Sequence, residues 1–180
     1  LDNFIKAYQA HPRWEDAWQD KAFLEWSVKG DYEAGAGTFL EFVTNVPNAT
    51  SAPEFLMSAA RITERNDKLE EAAKIWDRVA NEYPASEQVP DALFLAGITR
   101  YRLADYSAAL ASFQRDLLLS LKAEDRARAY LWIGKTQEQL GDKPSAEASW
   151  QQAQLTDPSG YYSLRAQDVL LKRLPFESPP

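Results

Sequence analysis

The stretch Tyr130-Leu-Trp-Ile-Gly-Lys-Thr-Gln-Glu-Gln-Leu140-Gly141-Asp142-Lys-Pro-Ser-Ala-Glu-Ala-Ser-Trp150-Gln-Gln-Ala-Gln-Leu-Thr-Asp-Pro158 reads as two amphipathic helices folded back on each other. Tyr130, Ile133, Gly134 and Leu140 mark one face of the first helix, and Ala146, Trp150 and Ala153 mark one face of the second. Between them, Gly141 suits a left-handed helix end and Asp142 suits the cap of the next helix.

Outward from this pair the same unit recurs. Breaks at residues 30, 67, 104 and 141 (Gly30, Asp67, Ala104, Gly141) are spaced by 37. Small residues repeat at Gly35, Ala72, Ala109 and Ala146, and large aromatics at Phe39, Trp76, Phe113 and Trp150. The unit closes at Pro47, Pro84, Leu121 and Pro158. In the first helices Ala60, Gly97 and Gly134 share a register that Phe23 breaks. A small residue on each helix lets two backbones approach, and an aromatic one turn later fills the space where they diverge. A closing Pro ends the second helix because it cannot donate to the preceding turn. Leu121, standing where Pro is expected, predicts that the third repeat's second helix runs on for a turn. Ser51-x-x-Glu54 has the pattern of a capping box.

This organisation predicts an all-α protein, an α-solenoid of antiparallel helix hairpins. Residues 1–12, with Phe4, Ala7 and Pro12 in second-helix phase, form half a repeat. Four repeats occupy 13–158, a capping helix 159–174 and an extended, Pro-rich tail 175–180. Tyr162, Leu164, Val169, Leu170 and Leu171 are available to close the last repeat. Beginning in mid-repeat without Met or an apolar leader, the chain reads as an excerpt, with any export signal outside it.

The pattern in Gly30-Asp31-Tyr32-Glu33-Ala34 and Ala104-Asp105-Tyr106-Ser107-Ala108-Ala109 resembles the tetratricopeptide repeat, whose usual period is about 34 residues. The extra residues fall in the linkers 48–53, 85–90 and 122–125. The resemblance implies a right-handed superhelix and partner binding on a concave surface lined by the first helices. The matching columns here hold Met57 with Arg61, Phe94 with Ile98 and Arg102, and Leu131 with Lys135. They lack the paired Lys and Asn of the family's carboxylate clamp, which disfavours an acidic C-terminal peptide. Met57, Phe94 and Leu131 form an apolar stripe suited to a partner's helix, or to closure on the chain itself.

Charge narrows the partners. Twenty basic against 27 acidic residues give net charge −7 and a pI near 4.8, which opposes binding to nucleic acid. Cysteine is absent, and no apolar run is long enough to span a membrane. No phosphate loop, His-Glu-x-x-His or nucleophile elbow occurs, so no catalytic residue, metal or cofactor is expected. His11, the single histidine, precedes Pro12 in a turn and is expected to be solvated. Trp14, Trp18 and Trp26 fall near one helical face, Trp132 lies beside a buried column, and Asp116 stands where Phe42, Val79 and Ala153 are apolar. A buried Asp116 needs a partner, and Arg126 or Arg128 is the expected one.

The segment Gly160-Tyr161-Tyr162-Ser163-Leu164-Arg165-Ala166, leading through Leu170-Leu171 to Leu174-Pro175-Phe176, is similar to the repeat-to-linker junction of bacterial soluble lytic murein transglycosylases. That resemblance implies a noncatalytic superhelical region of an exported protein that positions a separate cleaving domain on peptidoglycan. Glu177-Ser178 matches only the dipeptide of that family's catalytic motif, so the catalytic role does not transfer. The alternative is a free-standing adaptor for proteins or peptides with no glycan link. Expected partners are a protein, a peptide or the remainder of a parent chain, with peptidoglycan in the first reading alone.

Overall fold

The structure, a computed structural model, describes residues 1–174; the expected tail, including Glu177-Ser178, lies outside them. Among the described residues every regular element is helical. The chain divides into two compact units, Leu1–Gln88 and Val89–Pro180. The first holds α1 (Asp2–Ala7), α2 (Trp14–Phe23), a π-helical turn continuing it (Leu24–Val28), α3 (Tyr32–Asn45), α4 (Ala52–Arg65) and α5 (Leu69–Glu82). The second holds α6 (Val89–Arg102), α7 (Tyr106–Leu119), α8 (Ala123–Gln139), α9 (Lys143–Thr156) and α10 (Tyr161–Leu170). Within each unit, successive helices pack as antiparallel hairpins, and α10 covers both α8 and α9. This is a tetratricopeptide-like, all-α fold.

The four breaks share one backbone solution. Gly30, Asp67, Ala104 and Gly141 all have positive φ, between 58° and 84°. At the last three, the break amide reaches back three residues and the next amide five. Lys68 N–H donates to the Thr63 carbonyl, Asp105 to Arg100 and Asp142 to Gln137, which satisfies the orphan carbonyls of the helix end. Asp31, Asp105 and Asp142 then cap α3, α7 and α9 by accepting from the amide three residues on.

At the first break the reach is one residue wider, from Asp31 N–H to the Glu25 carbonyl, because the π turn holds an inserted residue. That insertion explains the broken register. Fully buried Ala22, rather than Phe23, takes the place that Ala60, Gly97 and Gly134 hold elsewhere. The tryptophans divide for the same reason. Trp14 and Trp18 meet each other and Phe42 edge-on or tilted, whereas Trp26 turns away to Phe23 and Tyr32.

The small-residue columns are close approaches. A Cβ on Gly97 would stand 2.5 Å from the Phe113 ring, and one on Gly134 would collide with the Trp150 indole. The Trp150 Nε1 donates to the Leu131 carbonyl across the hairpin at 3.2 Å.

Several expectations need correction. The α7 helix stops at Leu119 like its equivalents, and α8 starts early instead, which leaves Leu121 96% exposed in the connection. Ser51 makes no side-chain capping bond, since its backbone is already helical (φ −80°, ψ −10°), so no capping box forms. Leu140 is an exposed helix end, and Leu164 and Leu171 are likewise exposed, while Tyr162, Val169 and Leu170 pack on the Trp150 cluster.

Asp116 is fully buried, yet neither arginine pairs with it. The Ser120 hydroxyl donates to its Oδ1 at 2.8 Å, and its Oδ2 has no partner. Arg126 donates to the Leu117 carbonyl, and Arg128 reaches Asp91 at 3.1 Å and Asp125 at 3.5 Å. Burial therefore dominates and pushes the Asp116 carboxyl up to about 6, against the opposing Ser120 bond and the Arg128 charge.

Candidate functional site

In the first unit, α3 packs between α2 and α4, so its apolar ridge becomes the floor of a cleft walled by two helices running the same way. The cleft has a volume of about 400 Å³ and is lined by residues of all three helices and of the π turn. Phe39 and Phe55 are buried and meet edge-on at 5.0 Å, forming the apolar base. Phe23 stands 52% exposed on the wall, and Trp26 lies beside it with ring centroids 6.0 Å apart.

The charged groups of the cleft are ordered along its length. Glu54 is in the first turn of α4, and Arg61 and Arg65 are two and three turns later. Asp20 of α2 lines the facing wall, and Trp26 joins the basic end, its ring covered by the Arg65 guanidinium at 5.0 Å. The side chains of Asp20, Glu54 and Arg61 take part in no ion pair or hydrogen bond among the described residues. An apolar floor with uncommitted charges of opposite sign at its two ends can recognise an extended segment.

The sequence-derived surface residues fall in different situations. In the first unit Arg61 is exposed in the cleft, and Met57 is 4% exposed, beneath the surface rather than on it. In the second unit Leu131 is 3% exposed inside the Trp150 cluster, and Phe94 and Ile98 are half-buried against Phe113. Arg128 lies 4.1 Å over the Phe94 ring. Arg102 is exposed at the end of α6. Lys135 lies 4.3 Å over Trp132, and burial, aided by neighbouring Arg165, pushes its ammonium below the ordinary lysine range. Trp132 itself is half-buried and stacks on Phe113 with centroids 5.9 Å apart. His11 is exposed, its Nδ1 accepting from the Arg13 amide.

Sequence reasoning passed over Phe23, Trp26, Asp20, Glu54 and Arg65. The signal that marks the first of them is the register break at Phe23. There an apolar residue occupies a place that the repeat leaves to a small one, so it has to be displaced outward.

Among the described residues no three His, Cys, Asp or Glu side chains are grouped to hold a metal, and no helix is long and apolar enough to cross a membrane.

No protein-family model matches the sequence, and no curated protein is significantly similar. Solved structures are. The chain is similar to a crystal structure of MamA protein, with TM-score 0.66 and 15% identity, covering 90% of this chain and 83% of that one. It is also similar to a tetratricopeptide repeat protein from Parabacteroides merdae, with TM-score 0.67 and 16% identity, covering 87% of this chain and 59% of that one. The Yersinia enterocolitica type III secretion translocator chaperone SycD matches with TM-score 0.60 and 18% identity, over 72% of this chain and 96% of its own. At such identities these likenesses establish the fold.

Proposed function

We propose that this chain is a protein- or peptide-binding scaffold that recognises its partner on the first-helix surface, with the cleft between α2 and α4 as the principal contact. One observation carries the reading. A cleft on the face that this fold offers to partners carries exposed Phe23, half-buried Trp26 and charges of both signs that the chain's own residues leave unpaired. Large aromatics and arginines at the centre of a concave surface are the usual anchors of protein recognition. The similarity to a secretion chaperone and to a tetratricopeptide repeat protein agrees with this class of role.

A photo-cross-linking residue in place of Ser58, which lines the cleft, tests the proposal when the chain is expressed in its native cells. A discrete protein adduct is expected from Ser58 and not from a control at Leu155, which is exposed on α9. The same adduct from both positions, or from neither, would contradict it.

A narrower reading places the scaffold outside the cytoplasm, beside a cleaving domain of the lytic transglycosylase type and acting on peptidoglycan. It rests on the segment Gly160 to Ala166, which opens α10 and supplies Tyr162 to the covering of the last hairpin. Co-sedimentation of the full chain with purified sacculi is its test. Retention that soluble muropeptides compete away supports it, and complete recovery in the supernatant opposes it.

A further inference from the structure

The partner's chemistry can be taken further, on the premise that the cleft is a recognition site. We infer that the α2–α4 cleft takes a short extended segment of a partner protein in which an apolar side chain is flanked by a basic residue on one side and an acidic residue on the other.

Charge complementarity specifies the occupant. Along α4, Glu54 and Arg61 are seven residues apart, about 10 Å at the helical rise, and Arg65 lies about 6 Å beyond Arg61. At about 3.3 Å per residue an extended chain covers that span with three to five residues. Glu54 forms the anionic end and receives the partner's ammonium or guanidinium group. Arg61 forms the cationic end and receives its carboxylate, while Arg65, held over Trp26, keeps its N–H edge for the same group. Phe39 and Phe55 form the apolar base of the cleft, and Phe23 and Trp26 present ring surface from its wall to the apolar side chain.

The π turn is part of this device. By inserting one residue after α2 it keeps Ala22 in the packed column and carries Phe23 to the cleft wall, where no later repeat has an exposed aromatic in register. Arg61, Ile98 and Lys135 hold the 37-residue spacing, and Phe23, 38 residues before Arg61, is the displaced member of that column.

Two measurements on the full chain test the inference. The first is an unbiased selection from a phage-displayed library of random seven-residue peptides. The second is titration of three acetylated, amidated pentapeptides: Lys-Leu-Phe-Leu-Glu, its reverse, and Gln-Leu-Phe-Leu-Gln. Selected sequences are expected to carry a base and an acid on either side of an apolar residue, and at least one charged pentapeptide is expected to bind about tenfold or more tighter than the neutral one. Arg61→Glu is expected to abolish that advantage, and Phe23→Ser to weaken all ligands; both residues are exposed, so folding is not at issue. Ligands that lack the charge pattern, or that ignore both substitutions, overturn the inference and leave the scaffold reading standing. A selection that yields no ligand from the library overturns both.

Discussion

Two hairpins of the molecule, α2/α3 and α8/α9, meet the same packing requirement in opposite ways. In α8/α9 the first helix yields: Gly134 opens the space that the Trp150 indole on the second helix fills. In α2/α3 the second helix yields: a Cβ on Gly35 would stand 2.6 Å from the Cβ of Trp26, on the π turn that continues the first helix. Both arrangements let two backbones come close. They differ in where the aromatic surface goes. Trp150 is consumed in the core, whereas the inserted residue in α2/α3 leaves Phe23 exposed and Trp26 on a cleft wall. Regular repeats spend their aromatics on stability, and the irregular one leaves some at the surface, where the proposed recognition uses them.

The contrast can be broken most decisively at Trp150. Trp150→Ala should lower the unfolding free energy by about 3–5 kcal/mol in urea denaturation, the usual cost for a large buried aromatic. Trp132→Ala, at a half-buried ring, should cost clearly less; equal losses would mean the two rings share one environment.

Asp116 gives the next largest effect, and it compares α7 with α3, where buried Phe42 holds the equivalent place. Its carboxyl is raised to about 6 in the folded state, above the ordinary 3.8, so the protonated form favours folding. The contribution is complete below about pH 4 and is lost as pH rises through 6, amounting to about 2–3 kcal/mol. Stability should therefore increase between pH 7.5 and 5, with Ser120, Arg128, Asp125 and Asp91 as the groups facing the carboxyl. Asp116→Asn should flatten that slope, and an unchanged slope in the variant would assign it elsewhere.

Smaller effects sharpen the comparison. Gly134→Ala forces the Trp150 ring to move and should cost about 1–3 kcal/mol, with Gly35→Ala in the same range because it meets Trp26 and the Ala22 carbonyl. Ala104 has φ 58°, where a Cβ is unfavourable, and its surroundings at the exposed break are open. Ala104→Gly should stabilise by about 0.5–1 kcal/mol, and a destabilised variant would show that the left-handed backbone there is not strained.

Much of the fold is legible in the sequence, because the regular repeats place the same residue type at the same contact. The break positions 30, 67, 104 and 141 and the Gly97–Phe113 and Gly134–Trp150 contacts follow from the columns alone, whereas the left-handed backbone at Asp67 and Ala104 does not show in their residue types. What the sequence hides are departures from the period. The inserted residue after α2 is invisible except as Phe23 out of register, since a π turn and an α turn have no distinct residue signature. The Ser120 bond to Asp116 is hidden as well, because helix ends decide it. The proposed binding surface is legible only as columns. Periodicity says which residues share a face, but not that Met57 and Leu131 lie beneath it while Arg61 lies on it.

The most direct test of the account pairs stability with binding at one exposed residue. Phe23→Ala should change the urea unfolding free energy by less than about 0.5 kcal/mol, as for surface positions in general. The same substitution should weaken a display-selected ligand about tenfold or more. A variant that loses stability while binding the ligand as before would make Phe23 a packing residue and remove the cleft as the site of recognition.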